Sequence, residues 1–281
     1  MQRRSAATFA NINLLGKCTL DCNFCLGKDL EKEFSKYDFN KVHFDAWSRF
    51  EEFLGWCRNG LVKQLYITGQ NTDPTCYKYI HELVDYLKEQ GFYVGVRSNG
   101  MIPDLALFNA CTTCTEDAVG LTMLTRDPDR FFFLTGRRSM PEWEKLIPKI
   151  TVPLRMAIVV TQNNAPEVLD LIQYISQFRN VRYVQLRRVS TITRRRDWKP
   201  AQDEFEKLAK EIDASFTKLD EYETAPIYSI YGMRVSLWRT ILTTANSWNY
   251  FVNGVLSSEY EIIRGYMKQK GMKIPDEPEI S

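Results

Sequence analysis

Short β-branched or aromatic runs alternate with longer amphipathic stretches through the first two thirds of the chain, and no other feature restricts its folding as strongly. The short runs fall at residues 8–15, 62–68, 93–97, 118–124, 154–161 and 181–186 and read as strands. Helical periodicity lies between them, near 44–58, 75–90, 103–110, 141–147 and 166–178, with a further helix at about 201–215. Local signals mark the joints. Asp73-Pro74 suits a helix entry, Gly91 suits a left-handed C-cap, and Asn99-Gly100 marks a turn after the third strand.

Six strand–helix alternations imply an α/β fold with a parallel sheet and right-handed crossovers. Eight would predict a complete barrel; six predict a partial (β/α)6 TIM barrel, with a doubly wound sheet as the second arrangement. After about residue 216 the pattern changes. Residues 227–237 read as a strand pair about Gly232, 239–269 as mostly helical, and 275–281 as a polar, frayed end. The expected organisation is a barrel over residues 1–200 and a C-terminal capping segment of the same globule over 201–281.

Seven cysteines, an odd number, stand at 18, 22, 25, 57, 76, 111 and 114, with none in the remainder of the chain. A disulfide framework would spread them through a short secreted domain. Clustering near the front points to metal or redox chemistry. The segment Cys18-Thr19-Leu20-Asp21-Cys22-Asn23-Phe24-Cys25 spaces three of them C-x3-C-x2-C directly after the first strand. Three thiolates on a compact loop can hold three irons of a [4Fe–4S] cluster, leaving the fourth iron for a small molecule. A zinc site would want a fourth ligand, and the two histidines, His43 and His81, are not nearby in sequence. Chance placement of inert thiols is the remaining alternative.

This segment resembles the signature of the radical S-adenosylmethionine (SAM) superfamily, with Phe24 in the aromatic place. The resemblance implies that Cys18, Cys22 and Cys25 bind the cluster and that SAM chelates the open iron. It also implies a small electron donor such as flavodoxin or ferredoxin, and one-electron cleavage of SAM to a 5′-deoxyadenosyl radical that takes hydrogen from substrate. Further SAM-binding positions follow from matching segments. Gly69, Gln70 and Asn71 stand where the family carries a Gly-Gly-Glu-Pro-like segment, with Gln70 and Asn71 departing from it. Ser98, before Asn99-Gly100, would offer a hydroxyl to the SAM carboxylate. Thr122 ends strand four, Thr161 ends strand five, and Arg187 ends strand six, favoured over Arg188 because neighbouring strand residues face opposite sides. The cysteine-rich extension common among peptide-modifying relatives is not expected, since no cysteine follows Cys114, and neither is a preceding cobalamin domain. Cys57, Cys76, Cys111 and Cys114 read as packing or surface thiols, with metal or redox use as the alternative.

Lys and Arg number 37 against 35 Asp and Glu, a net charge of +2, too balanced for a protein that coats nucleic acid with its whole surface. Against that balance, residues 182–199 hold seven basic residues and one acid, Asp197. Arg188, Arg194, Arg195 and Arg196 are therefore candidate contacts for an anionic substrate, such as a nucleotide or a nucleic-acid-attached group, with Trp198 available for stacking. The alternatives are a peptide or amino-acid substrate, and a non-enzymatic metal-binding module attached to nucleic acid. A 44% hydrophobic and 26% charged composition excludes disordered and collagenous chains. No apolar run reaches the roughly 18–20 residues of a membrane helix, and none behind Arg3-Arg4 suits a signal peptide. A cytoplasmic protein without a membrane partner is expected.

Overall fold

The computed structural model describes residues 9–189, 197–222, 224–239, 247–259 and 262–273. Its strands are β1 (Phe9–Leu14), β2 (Gln64–Gly69), β3 (Tyr93–Ser98), β4 (Val119–Thr122), β5 (Leu154–Val160), β6 (Val181–Arg188), β7 (Thr217–Tyr222), β8 (Ala225–Ile230), β9 (Met233–Trp238), β10 (Ser247–Phe251) and β11 (Leu256–Ser257). The helices are α1 (Leu26–Asp29), α2 (Glu31–Phe34), α3 (Phe50–Asn59), α4 (Ile80–Glu89), α5 (Leu105–Ala110), α6 (Pro128–Thr135), α7 (Trp143–Leu146), α8 (Val168–Ile175), α9 (Lys199–Ser215) and α10 (Ile262–Gln269).

All these strands join one sheet in the order β11-β10-β1-β2-β3-β4-β5-β6-β9-β8-β7. The six strands expected from the alternation lie side by side in chain order, each parallel to the next. A doubly wound sheet would reverse that order partway. The protein is thus a mixed α/β fold on a large, mostly parallel sheet.

Alternation within the strands explains where each face goes. Ala10, Ile12, Leu65, Ile67, Val94, Val96, Val119, Leu121, Met156, Ile158, Val184 and Leu186 point one way and are fully buried. The apolar stripes of α3 (Phe50, Phe53, Leu54, Cys57) and α4 (Ile80, Leu83, Val84, Leu87) recur at i, i+3, i+4 and i+7 and join the same core. The opposite face carries polar side chains and lines a cavity. Phe9 of β1 packs against Ala225 and Trp238 of β8 and β9, so the sheet curls around that face.

The stretch after residue 216 differs from a simple cap. β9 pairs parallel with β6 and β10 pairs parallel with β1, so the tail extends the sheet at both of its flanks. The strand pair about Gly232 forms as expected, with Tyr231 and Gly232 both at positive φ in the β8–β9 turn. The described part of residues 239–269 is not mostly helical. It holds β10, β11 and only one helix, α10. Tyr250 and Phe251 favour a pleated, buried surface; Gly254, at φ +91, turns the chain into β11. The expected helices at 44 and 75 begin with short 3-10 turns at Phe44–Ala46 and Pro74–Cys76 before α3 and α4. α6 was not expected, although its signals were present: Asp127 caps it, Pro128 opens it and Gly136 closes it at φ +69. Residues 275–281 lie outside the described residues.

Candidate active site

Cys18, Cys22 and Cys25 occupy the loop that leaves β1 at its C-terminal end, and all three line the cavity. α6 holds this loop from one side. The backbone N–H groups of Asp21 and Asn23 donate to the carbonyls of Thr135 (2.8 Å) and Leu134 (3.0 Å), last-turn oxygens without partners inside the helix. The Arg137 guanidinium adds a bond to the Thr19 carbonyl at 2.8 Å. Phe24 lines the cavity and packs in a small apolar cluster with Leu124, Leu134, Val189, Trp198 and Ala201, against which Cys22 also rests.

The loop after β2 holds it from the other side, and glycines make the contact close. A Cβ on Gly69 would lie 1.8 Å from the Thr72 carbonyl oxygen, and one on Gly27 would lie 2.2 Å from that of Gln70. The Gly16 amide donates to Asn71 Oδ1 at 3.0 Å, while the Gln70 side chain donates to Asn13 Oδ1 at 2.9 Å. The Gln70 carbonyl sits 3.6 Å from Cys25 Sγ. Gly69, Gln70 and Asn71 all line the cavity, and the Asn71 side chain also braces the cysteine loop.

Asp73 ties the third loop into the assembly, and the sequence reading gave it only the role of helix entry. Its buried carboxylate accepts from the Thr75 hydroxyl (2.7 Å), the Thr75 amide (3.0 Å), the Ser98 hydroxyl (2.9 Å) and the Asn99 amide (2.7 Å). Asn99 then extends its Nδ2 towards Cys18 Sγ (3.6 Å) and Thr19 Oγ1 (3.1 Å). Burial pushes the Cys18 thiol up to about 11, the Leu20 amide opposes this, and Asp73, Cys76 and Cys25 add to it. Burial raises Cys22 as well, with Cys25 and Cys18 adding to the effect. The three thiols are thus near enough to oppose one another's ionisation. No group of three or more His, Cys, Asp or Glu among the described residues is arranged to hold a single metal ion. One thiolate per iron, on separate irons of a cluster, asks less convergence of the side chains than a mononuclear site does.

Two expected SAM contacts are otherwise engaged. The Ser98 hydroxyl donates its hydrogen to Asp73 and accepts from the Gly100 amide at 3.1 Å, so it has none left for a carboxylate ligand. Thr161 is buried off the cavity, its amide and hydroxyl both donating to Asn164 Oδ1 at 2.7 and 3.0 Å. Thr122 and Arg187 both line the cavity. Arg188 reaches its wall but is paired with Glu206 of α9 at 3.2 Å, which also holds Arg239. Arg194, Arg195 and Arg196 lie outside the described residues.

The cavity has a volume of about 1210 Å³, above the roughly 300–1,000 Å³ of a site for one small ligand. It runs from the cysteine loop down the inner face of the sheet. Its walls carry Ala157 and Val159, and its floor is a polar network the sequence reading missed. There Arg97 pairs with Asp117 and stacks over Tyr66 at 3.7 Å, while the Tyr183 hydroxyl donates to Asp117 at 2.8 Å. Gly120 leaves the room this needs, since a Cβ there would lie 2.6 Å from Arg97 Cδ and 2.9 Å from an Arg155 nitrogen. The strand register is what brings these residues together.

The remaining thiols separate by environment. Cys57 and Cys111 are buried in the core, Cys114 is exposed, and Cys76 is half-buried behind Cys18.

No family model matches the chain, and no curated protein sequence matches it. Solved structures do. SuiB from Streptococcus suis superposes with a TM-score of 0.56 at 14% identity, over 90% of this chain and 60% of SuiB. A second SuiB structure, bound to its precursor peptide SuiA, gives 0.57 at 15% identity over 97% of this chain and 62% of that one. SuiB has also been solved with S-adenosylmethionine. Coproporphyrinogen III oxidase (HemN) from Escherichia coli, a radical SAM enzyme, gives 0.51 at 11% identity over 97% and 72%. This chain spans about 60% of the SuiB length. At such identities the likeness is one of architecture: the chain shares its fold with SuiB and with the radical SAM enzyme HemN.

Proposed function

We propose that the protein is a radical SAM enzyme acting on an anionic substrate held inside a partial barrel. The observation that carries this reading is the placement of Cys18, Cys22 and Cys25 on one braced loop at the mouth of a cavity large enough for two ligands. The donor set fits a [4Fe–4S] cluster: three thiols of like kind, with no histidine among the cavity-lining residues. When bound, the cluster and SAM supply reductive cleavage to methionine and a 5′-deoxyadenosyl radical that abstracts hydrogen from substrate.

The chain's own part is placement, charge and exclusion of water. Cys18, Cys22 and Cys25 give up their thiol protons to become ligands. Asn99 directs an N–H at the Cys18 sulfur, favouring the charged thiolate. Gly69 and Gln70 expose main chain beside the cysteine loop, where an amino group can be received. Arg187 stands on the cavity face of β6, where its guanidinium can meet a carboxylate. Ala157, Val159 and Leu124 give that part of the wall an apolar surface that keeps water from the reacting carbon.

Anaerobic reconstitution of the full chain tests the proposal. About four irons and as many sulfides per chain, with SAM converted to methionine and 5′-deoxyadenosine on reduction, are expected. A stoichiometric zinc site without SAM turnover would overturn it in favour of a metal-binding module.

A second reading, a peptide substrate, has a specific observation behind it: SuiB, similar in fold, has been solved with its precursor peptide. Hydrogen transfer from a deuterated peptide into 5′-deoxyadenosine would favour it, and transfer from a nucleotide would favour the first.

A further inference from the structure

Two acids beside the cavity floor are already engaged by arginines. Arg97 and Asp117 neutralise each other, and Glu116 is taken by Arg234 at 2.8 Å. Arg155, the second residue of β5, projects into the same floor between Gly120 and Gln185. One terminal nitrogen donates to the neutral Gln185 Oε1 at 3.2 Å, and its buried Nε has no hydrogen-bond partner among the described residues. No carboxylate among the described residues forms an ion pair with it. A guanidinium drawn from water into a cavity with an unanswered N–H edge is costly unless an anion completes it.

We propose that Arg155 is a substrate-binding residue that receives an oxyanion, a carboxylate or a phosphate, at the end of the substrate remote from the cysteine loop. This deepens the proposed function and rests on it for the direction in which the substrate lies. Its geometry follows from strand register. Arg155 is level with Tyr183, whereas Val159 is level with Arg187, so four residues of β5 separate the two arginine levels. At about 3.3 Å per residue that is roughly 13 Å. Arg187 is left for the cofactor end and Arg155 for the substrate end. The substrate is therefore elongated, anionic at its far end, and threaded along the inner face of the sheet past Ala157 and Thr122. Anion recognition moves from the basic segment at 194–196 to the floor. Arg155 suits that task because its fork can bind an oxyanion through two N–H groups.

The test uses the iron-reconstituted full chain at low ionic strength, with inorganic phosphate and succinate as probes in isothermal titration. Wild-type protein is expected to bind at least one of them, and the tighter probe identifies the oxyanion. Arg155→Gln is expected to weaken that binding at least tenfold, and Arg155→Lys, which keeps the charge but loses the fork, by less. Arg182→Gln, exposed on the other side of β6, is the matched control and leaves it unchanged. Should Arg155→Gln fail to fold by thermal melt, the Arg155→Lys comparison still decides. Failure of both anions to bind wild type, or equal binding by the Arg155 variants, overturns the proposal. SAM cleavage by wild type is measured on the same sample. Its absence alongside Arg155-dependent anion binding would sink the radical SAM reading and leave the floor site standing.

Discussion

Asp73 Oδ2 accepts the backbone N–H of Asn99 at 2.7 Å, fastening the loop after β3 to the loop after β2 across the mouth of the cavity. The same carboxylate holds Ser98 and Thr75, and Asn99 passes the restraint on to Cys18. Burial raises the Asp73 carboxyl, with the Thr75, Asn99 and Ser98 donors opposing that rise. Asp73→Asn replaces one acceptor oxygen with a donor that faces another donor. The expected cost is about 2–3 kcal/mol, the value of a charged hydrogen bond lost inside a protein. Thermal denaturation checks the stability, and iron content after reconstitution checks whether the cysteine loop has lost its seat. A variant with unchanged melting and full iron would show that the carboxylate is not what fastens the loops.

Replacing any one of Cys18, Cys22 or Cys25 with Ala is expected to remove most bound iron and all SAM cleavage. Cys114→Ala, exposed in the connection between α5 and β4, is expected to retain both. Iron and sulfide analysis with product chromatography makes the comparison. Full activity in Cys22→Ala protein would refute the cluster assignment.

The order and parallel pairing of β1 to β6 could be read from the sequence because each strand is a short apolar run bounded by local turn signals. The cysteine loop was equally legible, since its spacing is local. What could not be read depends on contacts distant in sequence. β10 pairs with β1 across more than two hundred residues, through contacts such as Asn11 Nδ2 to Asn249 Oδ1 at 2.8 Å. Ser98 looked like a free hydroxyl because its acceptor, Asp73, belongs to another loop. The charged floor was hidden for the same reason. Arg97, Asp117, Arg155 and Tyr183 each look like ordinary strand or loop residues until register brings them together.

Thiol reactivity provides a pH-dependent check. Burial pushes Cys57 and Cys111 each up to about 12, so both remain neutral thiols at pH 8 and for several units above it. Alkylation requires the thiolate, and a raised pKa makes the thiolate scarcer at any given pH below it. In the native protein at pH 8, iodoacetamide is expected to label Cys114 and spare Cys57 and Cys111; after denaturation all three react. Mass spectrometry of labelled peptides reads the result. Rapid native labelling of Cys57 would contradict its place on the buried face of α3.

Two glycines make opposite predictions from the same substitution. Gly55 lies inside α3 with nothing within 4 Å of where a Cβ would stand. Gly55→Ala therefore gains only helix propensity, about 0.8–1.0 kcal/mol, and raises the melting temperature by roughly 2–4 °C. At Gly69 the same methyl would meet the Thr72 carbonyl at 1.8 Å, and backbone must shift to admit it. Gly69→Ala is expected to cost about 3 kcal/mol, near the upper end for overpacking. Because that displaced backbone also carries Gln70 and Asp73, SAM affinity and iron retention fall together. Equal melting temperatures for the two variants would mean that the loop after β2 does not approach itself as closely as described.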